Sequence, residues 1–549
     1  MKDLSRRGFI AGGVAAGGAA ALAAAGTGAA GTGAAAAADT AADSAAAGCF
    51  PAPPAKDIRP GDPRYEELIA RGYNGRFSGR PESVRLVHRP DQVVAAVDDA
   101  LRTGRRIAVR SGGHCFEGFV DDPAVQVVVD VSEMKSVHYD PRHNAFAIES
   151  GATLGEVYRT LYLGWGVTVP AGACPSVGAG GHIAGGGYGG LSRHHGFVAD
   201  HLYGVEVVVA DRPGRARLVT ATRDPADPHH DLWWAHTGGG GGNFGVVTRY
   251  LMRSPGTHGT DPTTLLPRPP ANIRSVTIGW SWQDMTEAAF VRILRNHGTW
   301  HEKESGAGSR YAPLSAWLIL NHRAAGRFTL VANVDGALPH GAKLLDEYVA
   351  AVTAGTGVRH EAEQATALWM KSTLTADPYA GGRYPFKSKA ALLRKPWTQT
   401  QIRTLHRYLT SSGGEHQGSA VYLSTLGGRI NTVPAAATAI PHRDSLFSAS
   451  YETSWWPGIS GDEQLAWVRE LYRDVYADTG GVPVPDAANG GAYVNYPDVD
   501  LADPRWNTSG VPWHTFYYRD NYPRLQQVKA RWDPADVFRH ALSVRPPGR

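Results

Sequence analysis

Two glycine-bearing segments constrain this chain more than anything else in it: Arg110-Ser-Gly-Gly-His-Cys115 and Gly172-Ala-Cys-Pro-Ser-Val-Gly-Ala-Gly-Gly-His182. The first puts His114 at the end of a tight turn. The second puts Cys174 ahead of a glycine-rich run that extends to Gly190. Glycine reaches positive φ and lets backbone come within contact distance of a ligand, and successive N–H groups in such loops form anion-binding nests. A nucleophilic imidazole and a nucleophilic thiol, each on such a loop, suit a large anionic cofactor held by covalent bonds. A flavin is the leading candidate.

The chain has 549 residues, more than one ordinary domain accommodates. Apolar residues at 42% and charged residues at 19% fit a soluble globular protein. The net charge of +4 is small, and the basic residues are scattered rather than clustered, which gives no reason to expect a nucleic-acid partner. The 66 glycines suit long loops that wrap a ligand.

The N-terminus reads as an export signal. Ser5-Arg-Arg-Gly-Phe9 offers twin arginines before a weakly hydrophobic Ala/Gly stretch running to about Ala47, a Tat-type pattern, with a disordered tail as the alternative. Tat exports folded proteins, which is what a cofactor-loaded enzyme needs. The stretch has too few large apolar residues for a lasting membrane span. Ala46-Ala-Gly-Cys49 lacks the large residue of a lipoprotein cleavage box, so a soluble secreted protein is expected. Three cysteines make no disulfide framework. With Cys174 engaged by a cofactor, Cys115 is left as a buried thiol, unless it pairs with a retained Cys49.

The organisation is α+β. Val84–Val87 reads as a strand, Asp91 as the cap of a helix through Leu101 that Gly104 ends, and Arg106–Arg110 as the next strand. Strands follow at Gln126–Val131 and Ala145–Glu149. Thr153-Leu-Gly-Glu156 is a capping box opening a helix to about Leu163. The segment through Gly190 reads as a long loop. Gly204–Ala210 is a buried strand, and Asp231–Ala235 leads into the glycine run 238–242. Pro262, Pro267, Pro269 and Pro270 mark a linker. Beyond it, strands (Trp317–Leu320, Phe328–Val334) mix with helices (Thr286–Arg295, Gly341–Ala351), and the tail ends in a helix over Tyr522–Arg531. Trp280, Trp282, Trp317, Trp369, Trp455 and Trp456 read as core aromatics, or as a platform for stacking sugar rings or a polycyclic substrate.

Several chemistries lose their best evidence. Gly185-Gly-Gly-Tyr-Gly-Gly190 matches GxGxxG, but no strand precedes it, so a Rossmann reading fails. The chain has no GxxxxGK[ST], HExxH, CxxC or GxSxG, and the histidine pairs 194–195 and 229–230 lack metal-ligand spacing.

Taken together, the chain resembles the berberine bridge enzyme-like oxidases of the vanillyl-alcohol oxidase (PCMH-type) superfamily, most closely their secreted bacterial members with doubly attached FAD. The resemblance rests on Arg110–His114, Cys174–Gly190, Phe244-Gly-Val-Val-Thr248, Tyr493-Val-Asn-Tyr-Pro-Asp-Val-Asp-Leu501, and Asn521-Tyr-Pro-Arg-Leu525 followed by Asp533-Pro-Ala-Asp-Val-Phe538. Each piece alone is weak, but their shared order is specific. It implies a leader (1–48), an FAD-binding domain (49–255), an inserted substrate domain of antiparallel sheet and helices (256–480), and a C-terminal segment (481–549) that completes the FAD domain.

The resemblance further implies that His114 bonds the flavin 8α-methyl and Cys174 bonds C6. Cofactor contacts are implied for Arg110, Ser111, Gly112, Gly113 and Cys115 in the first loop. In the second they are implied for Ser176, Val177, Gly180, Gly181, His182, Gly186 and Gly187, and elsewhere for Val247, Asn495 and Asn521. Tyr496 matches the family's catalytic tyrosine and takes the role of base. A free phenol has a pKa of about 10, so it needs help, which a hydrogen bond from Tyr188 would give. Tyr422 falls where family members place a tyrosine serving a second oxidation of the same substrate. Val177 matches the position governing oxygen access, and a small residue there goes with oxidases. The implied activity is oxidation of a hydroxyl-bearing carbon of a sugar, glycosylated antibiotic or other secondary metabolite, with O2 reduced to H2O2. Expected partners are the small-molecule substrate and O2, with no membrane beyond the export machinery. A dehydrogenase with another acceptor and a ligand-sequestering resistance protein are the alternatives.

Overall fold

The first helix of the βαβ unit shows how local sequence sets geometry in this chain. It spans Pro90–Thr103 and ends at Gly104, whose left-handed φ of 67° closes it. Its start departs from expectation. Asp91 lies inside the first turn rather than at the cap, because Pro90, with φ already fixed, occupies the opening position. The Asp91 carboxylate instead accepts two bonds from the Arg89 guanidinium.

The computed structural model describes residues 53–374, 383–412 and 415–548, so the twin arginines and Cys49 lie outside the described residues. A four-stranded sheet runs in the order Lys56–Ile58, Ser83–Leu86, Val127–Asp130, Ile107–Arg110; the first pair is antiparallel and the others parallel. The central parallel strand, Val127–Asp130, is Val-rich and buried along its whole length, as suits a strand covered on both faces. A five-stranded antiparallel sheet follows, ordered Val137–Asp140, Ala145–Glu149, Val246–Met252, Leu202–Arg212, Arg215–Thr222.

The third sheet has eight antiparallel strands, ordered Glu361–Leu368, Asn272–Ser281, Arg327–Asp335, Ser315–Asn321, Ser419–Thr425, Phe447–Ser454, Phe386–Leu393, Asn489–Gly491. The helices Gly341–Thr353 and Asp462–Val475 pack on one face, with Glu287–Glu304 and Gln399–Leu409 beside them. Strand alternation decides what meets these helices. Tyr451 points toward them and bonds the Tyr476 hydroxyl at 2.9 Å. Ser448, Ser450 and Glu452 therefore project the other way. After Asn489–Gly491 the chain leaves this sheet, and Tyr493 Oη accepts a bond from the Gly187 N–H at 3.0 Å.

One further expectation is corrected, and the tryptophans follow the core reading. The run from 172 to 190 is not one loop: the helices Ala179–Ala184 and Ser192–His195 occur in and just after it, their ends tied by backbone bonds of the 178–196 region. Of the tryptophans, Trp280, Trp369 and Trp455 are core side chains, and Trp282 stacks on Phe290. Trp317 is likewise a core side chain, and it is pressed against the glycine segment, 3.2 Å from where a Cβ on Gly190 would stand. Among the described residues no helix is long and apolar enough to cross a membrane.

Candidate active site

The two glycine segments meet because neither has side chains to keep them apart. A Cβ on Gly112 would stand 2.4 Å from the Gly178 nitrogen, and one on Gly178 would stand 2.2 Å from Ser111 Oγ. Ser111 Oγ donates to the Ser150 carbonyl at 2.6 Å and the Gly180 N–H donates to the same oxygen at 2.9 Å, which locks both segments to one point. The capping box forms as expected, with Thr153 N donating to Glu156 and Glu156 N to Thr153. The helix it opens, Leu154–Trp165, holds the Cys174 segment by the bonds Leu154 N to Val177 O and Gly155 N to Pro175 O.

Between these segments lies a cavity of about 300 Å³. Arg110, Ser111, Gly112, Gly113, His114 and Cys115 line one wall, and Cys174, Val177, Gly180, Gly181 and His182 another. Val247, Tyr188, Asn495 and Tyr496 also face it. The His114 ring stacks on Tyr73 at 4.4 Å, and burial pushes its pKa down to about 4, which leaves a neutral imidazole with a lone pair for bond formation. Cys174 Sγ lies 3.3 Å from Ser176 Oγ. Burial pushes the Cys115 thiol up to about 12, so it is inert. Arg110 presents no free charge, since its guanidinium bonds Asp130 at 3.0 and 2.8 Å.

The phenols of Tyr188 and Tyr496, 308 positions apart in sequence, meet at 3.1 Å. Burial drives both pKa values upward, and Tyr188, Tyr493 and Glu452 also oppose a phenolate at Tyr496. Tyr188 has more help, because the Ser448, Tyr496 and Ser424 hydroxyls all favour its charged form. The expected hydrogen bond is present, but what it joins is a neutral, desolvated pair rather than a ready phenolate. Phe116 stacks on Tyr496 at 5.4 Å and 2°, fixing its plane.

Five of the residues expected here lie outside the cavity lining. Ser176 meets the site only through its hydroxyl on Cys174 Sγ. Gly186 and Gly187 supply positive φ (103° and 61°) for the turn that delivers Tyr188. Asn521 Nδ2 donates to the carbonyls of Ala435, Thr438 and Ala439, so it braces a neighbouring loop. Tyr422 is on the face of the eight-stranded sheet turned away from the helices, opposite Ser450. Sequence reasoning missed the run Gly240–Gly242 and the C-terminal His540, which line the far end of the cavity. His540 stacks on Phe119 at 4.1 Å, and the glycine run itself was the available signal.

The lining fits FAD. A Cβ on Gly181 would meet nothing within 4 Å, and one on Gly241 only the Gly181 Cα at 4.0 Å. Gly181 thus borders open space and Gly241 packs toward its Cα, leaving a stretch of cavity wall without side chains, a backbone cradle suited to a pyrophosphate.

The comparisons agree with this geometry. A family model described as "FAD binding domain" matches residues 81–212, and one described as "Berberine and berberine like" matches 492–545. The chain is 57% identical over 487 residues to an aclacinomycin-N/aclacinomycin-A oxidase of Streptomyces galilaeus, covering 89% of each. A hexose oxidase of Chondrus crispus is 29% identical over 535 residues, with 88% of this chain and 93% of that one covered. The crystal structure of a glycopeptide hexose oxidase complexed with teicoplanin superposes with a TM-score of 0.87 at 50% identity, covering 91% of this chain and all of that one. Two glycine segments clasped around a cradle for FAD, with a tyrosine pair at its edge, thus place this chain in the berberine bridge enzyme-like family of FAD-linked oxidases.

Proposed function

We propose that this protein is a secreted oxidase that takes hydride from a hydroxyl-bearing carbon of a sugar or glycosylated natural product and delivers the electrons to O2, giving a carbonyl and H2O2. The observation that carries this reading is that His114, Cys174 and the Tyr188–Tyr496 pair face one cavity. The substrate class follows from the relatives, which are named as oxidases of aclacinomycins and of hexoses. Bound FAD supplies the two-electron acceptor.

The chain's own residues divide the remaining work. His114 and Cys174 tether the cofactor, which prevents its loss from a cleft wide enough for a bulky glycoside. Tyr496 accepts the substrate hydroxyl proton. Since burial keeps both phenols neutral at rest, the pair acts as a base once Tyr188 has given one proton to solvent, a charge that the Ser424 and Ser448 hydroxyls favour; as Tyr496 takes the substrate proton, its own proton passes to the Tyr188 phenolate. Val177 lines the cavity with a small side chain and leaves room for O2. Tyr422, on the sheet face nearby, serves a second oxidation of the same substrate. The twin arginines at Arg6 and Arg7 direct export by the Tat route.

Mass spectrometry of proteolytic fragments tests the tethers, and the expected product is the His114 and Cys174 peptides joined through one FAD. Release of free FAD from the denatured unmodified protein refutes them. Peroxide release with aclacinomycin A or D-glucose tests the reaction. Reduction of the flavin by these substrates with no reoxidation in air would make the protein a dehydrogenase instead.

A further inference from the structure

The face of the eight-stranded sheet turned away from the helices is buried, and it carries a carboxyl for which the tyrosine chemistry has no use. On the strand Phe447–Ser454, the side chains of Ser448, Ser450 and Glu452 all leave by that face. Across the neighbouring strands, Ser424 opposes Ser448, Tyr422 opposes Ser450, and Ser388 opposes Glu452. An ionised Glu452 would disfavour a phenolate at Tyr188, Tyr422 and Tyr496, which puts the carboxyl in the same neighbourhood as all three phenols.

Glu452 is 1% exposed, and only half of it is satisfied. Its Oε1 accepts from Ser450 Oγ at 2.5 Å and from Ser388 Oγ at 3.2 Å. Its Oε2 is buried with no hydrogen-bond partner. Burial pushes the carboxyl up to about 8 despite those two serines, so at neutral pH it is an acid that can both donate and accept. A carboxyl kept for structure alone would have both oxygens answered by the protein, because an unanswered buried polar atom is costly. Here two serines orient one oxygen and the other is held in readiness.

We propose that Glu452 is a specificity-determining residue of the sugar site. Oriented by Ser388 and Ser450, its Oε2 hydrogen-bonds a ring hydroxyl of the sugar whose oxidised carbon is served by Tyr496. This assignment rests on the glycoside-oxidase reading above. A site that hydrogen-bonds a substrate hydroxyl discriminates through the group left unpaired when that hydroxyl is missing.

The test is steady-state peroxide release by the FAD-loaded protein, with D-glucose and aclacinomycin A as probes, for the unmodified chain, Glu452→Gln and Glu452→Leu. The expected result for Glu452→Leu is a KM raised about tenfold or more on the probe that turns over, with kcat changed less than about threefold and flavin content unchanged. Glu452→Gln, which keeps a donor and an acceptor, should recover most of that loss and covers the case in which the leucine variant fails to fold. A KM for both variants within about twofold of the unmodified chain overturns the assignment while leaving the oxidase reading intact. A parallel fall in kcat at constant KM also overturns it, since that would make Glu452 part of the proton path. No turnover of either probe by the unmodified protein sinks the glycoside reading and this assignment with it.

Discussion

Replacing Lys387 with methionine tests the electrostatic joint between the FAD-binding segments and the C-terminal segment. The Lys387 ammonium is 1% exposed; it bonds Glu117, and bonds Asp498 at 2.6 Å. Lys389 bonds Asp498 at 2.6 Å and Asp500 at 2.9 Å, and Arg469 completes the cluster on Asp500 at 2.9 Å. Three carboxylates thus face three cations. Glu117 comes three positions after His114, and Asp498 two after Tyr496, so this cluster ties the candidate tether to the candidate base. Burial disfavours the Lys387 charge, but Asp498, Glu117 and Asp500 outweigh it and raise its pKa overall. Methionine keeps the volume and removes the charge. Asp498 and Asp500 retain Lys389, whereas Glu117, 2% exposed, is left unpaired. Breaking one member out of a buried pair costs about 3–5 kcal/mol. At roughly 2–4 °C per kcal/mol for a cooperative unit of 150–250 residues, thermal unfolding should fall by about 10 °C. The assay is differential scanning fluorimetry of the FAD-loaded protein, with the double variant Lys387→Met/Glu117→Gln as the control that removes both charges. The double variant should regain most of the loss. A single variant within about 2 °C of the unmodified protein, or a double variant no better than the single, refutes the reasoning.

Other outcomes follow from the same geometry. Tyr496→Phe should keep its FAD yet slow anaerobic flavin reduction by substrate by about 10²–10⁴-fold, and near-normal reduction removes it as the proton acceptor. Gly112→Ala should destabilise the fold by about 1–3 kcal/mol, because its methyl meets backbone. Gly181→Leu, pointing into open space, should fold normally and purify colourless; a yellow Gly181→Leu protein would show that the cradle is not where FAD lies. Burial disfavours the Asp500 charge, but Lys389, Lys387 and Arg469 outweigh it and hold its pKa well below the usual carboxylate range. Its folded pKa is the lower one, so its stabilisation is full above the unfolded value of about 3.9 and is lost as pH falls below it. The gap in urea midpoint between the unmodified protein and Asp500→Asn should therefore shrink between about pH 5 and pH 2. A gap that stays constant over that range contradicts this account.

Sequence alone determined what is local. Thr153 and Glu156 cap a helix because three positions separate them, and Gly104 ends one because it tolerates left-handed φ. The glycine segments with His114 and Cys174 announced a cradle for the same reason: a missing side chain is visible in sequence. Even locally the reading has limits, since Pro90 displaced Asp91 from the cap and six residues within the glycine run wound into a helix.

Tertiary structure decided everything that depends on distance in the chain. Tyr188 and Tyr496 meet across 308 positions, Lys387 reaches Glu117 across 270, and Gly112 packs on Gly178 backbone to backbone. No periodicity encodes such pairings, because they arise where separate sheets happen to present their faces. Burial decided the chemistry in the same way. His114 is neutral, the phenols are protonated and Glu452 keeps one oxygen unanswered because folding removed water from each, and a residue's letter carries no record of its solvent.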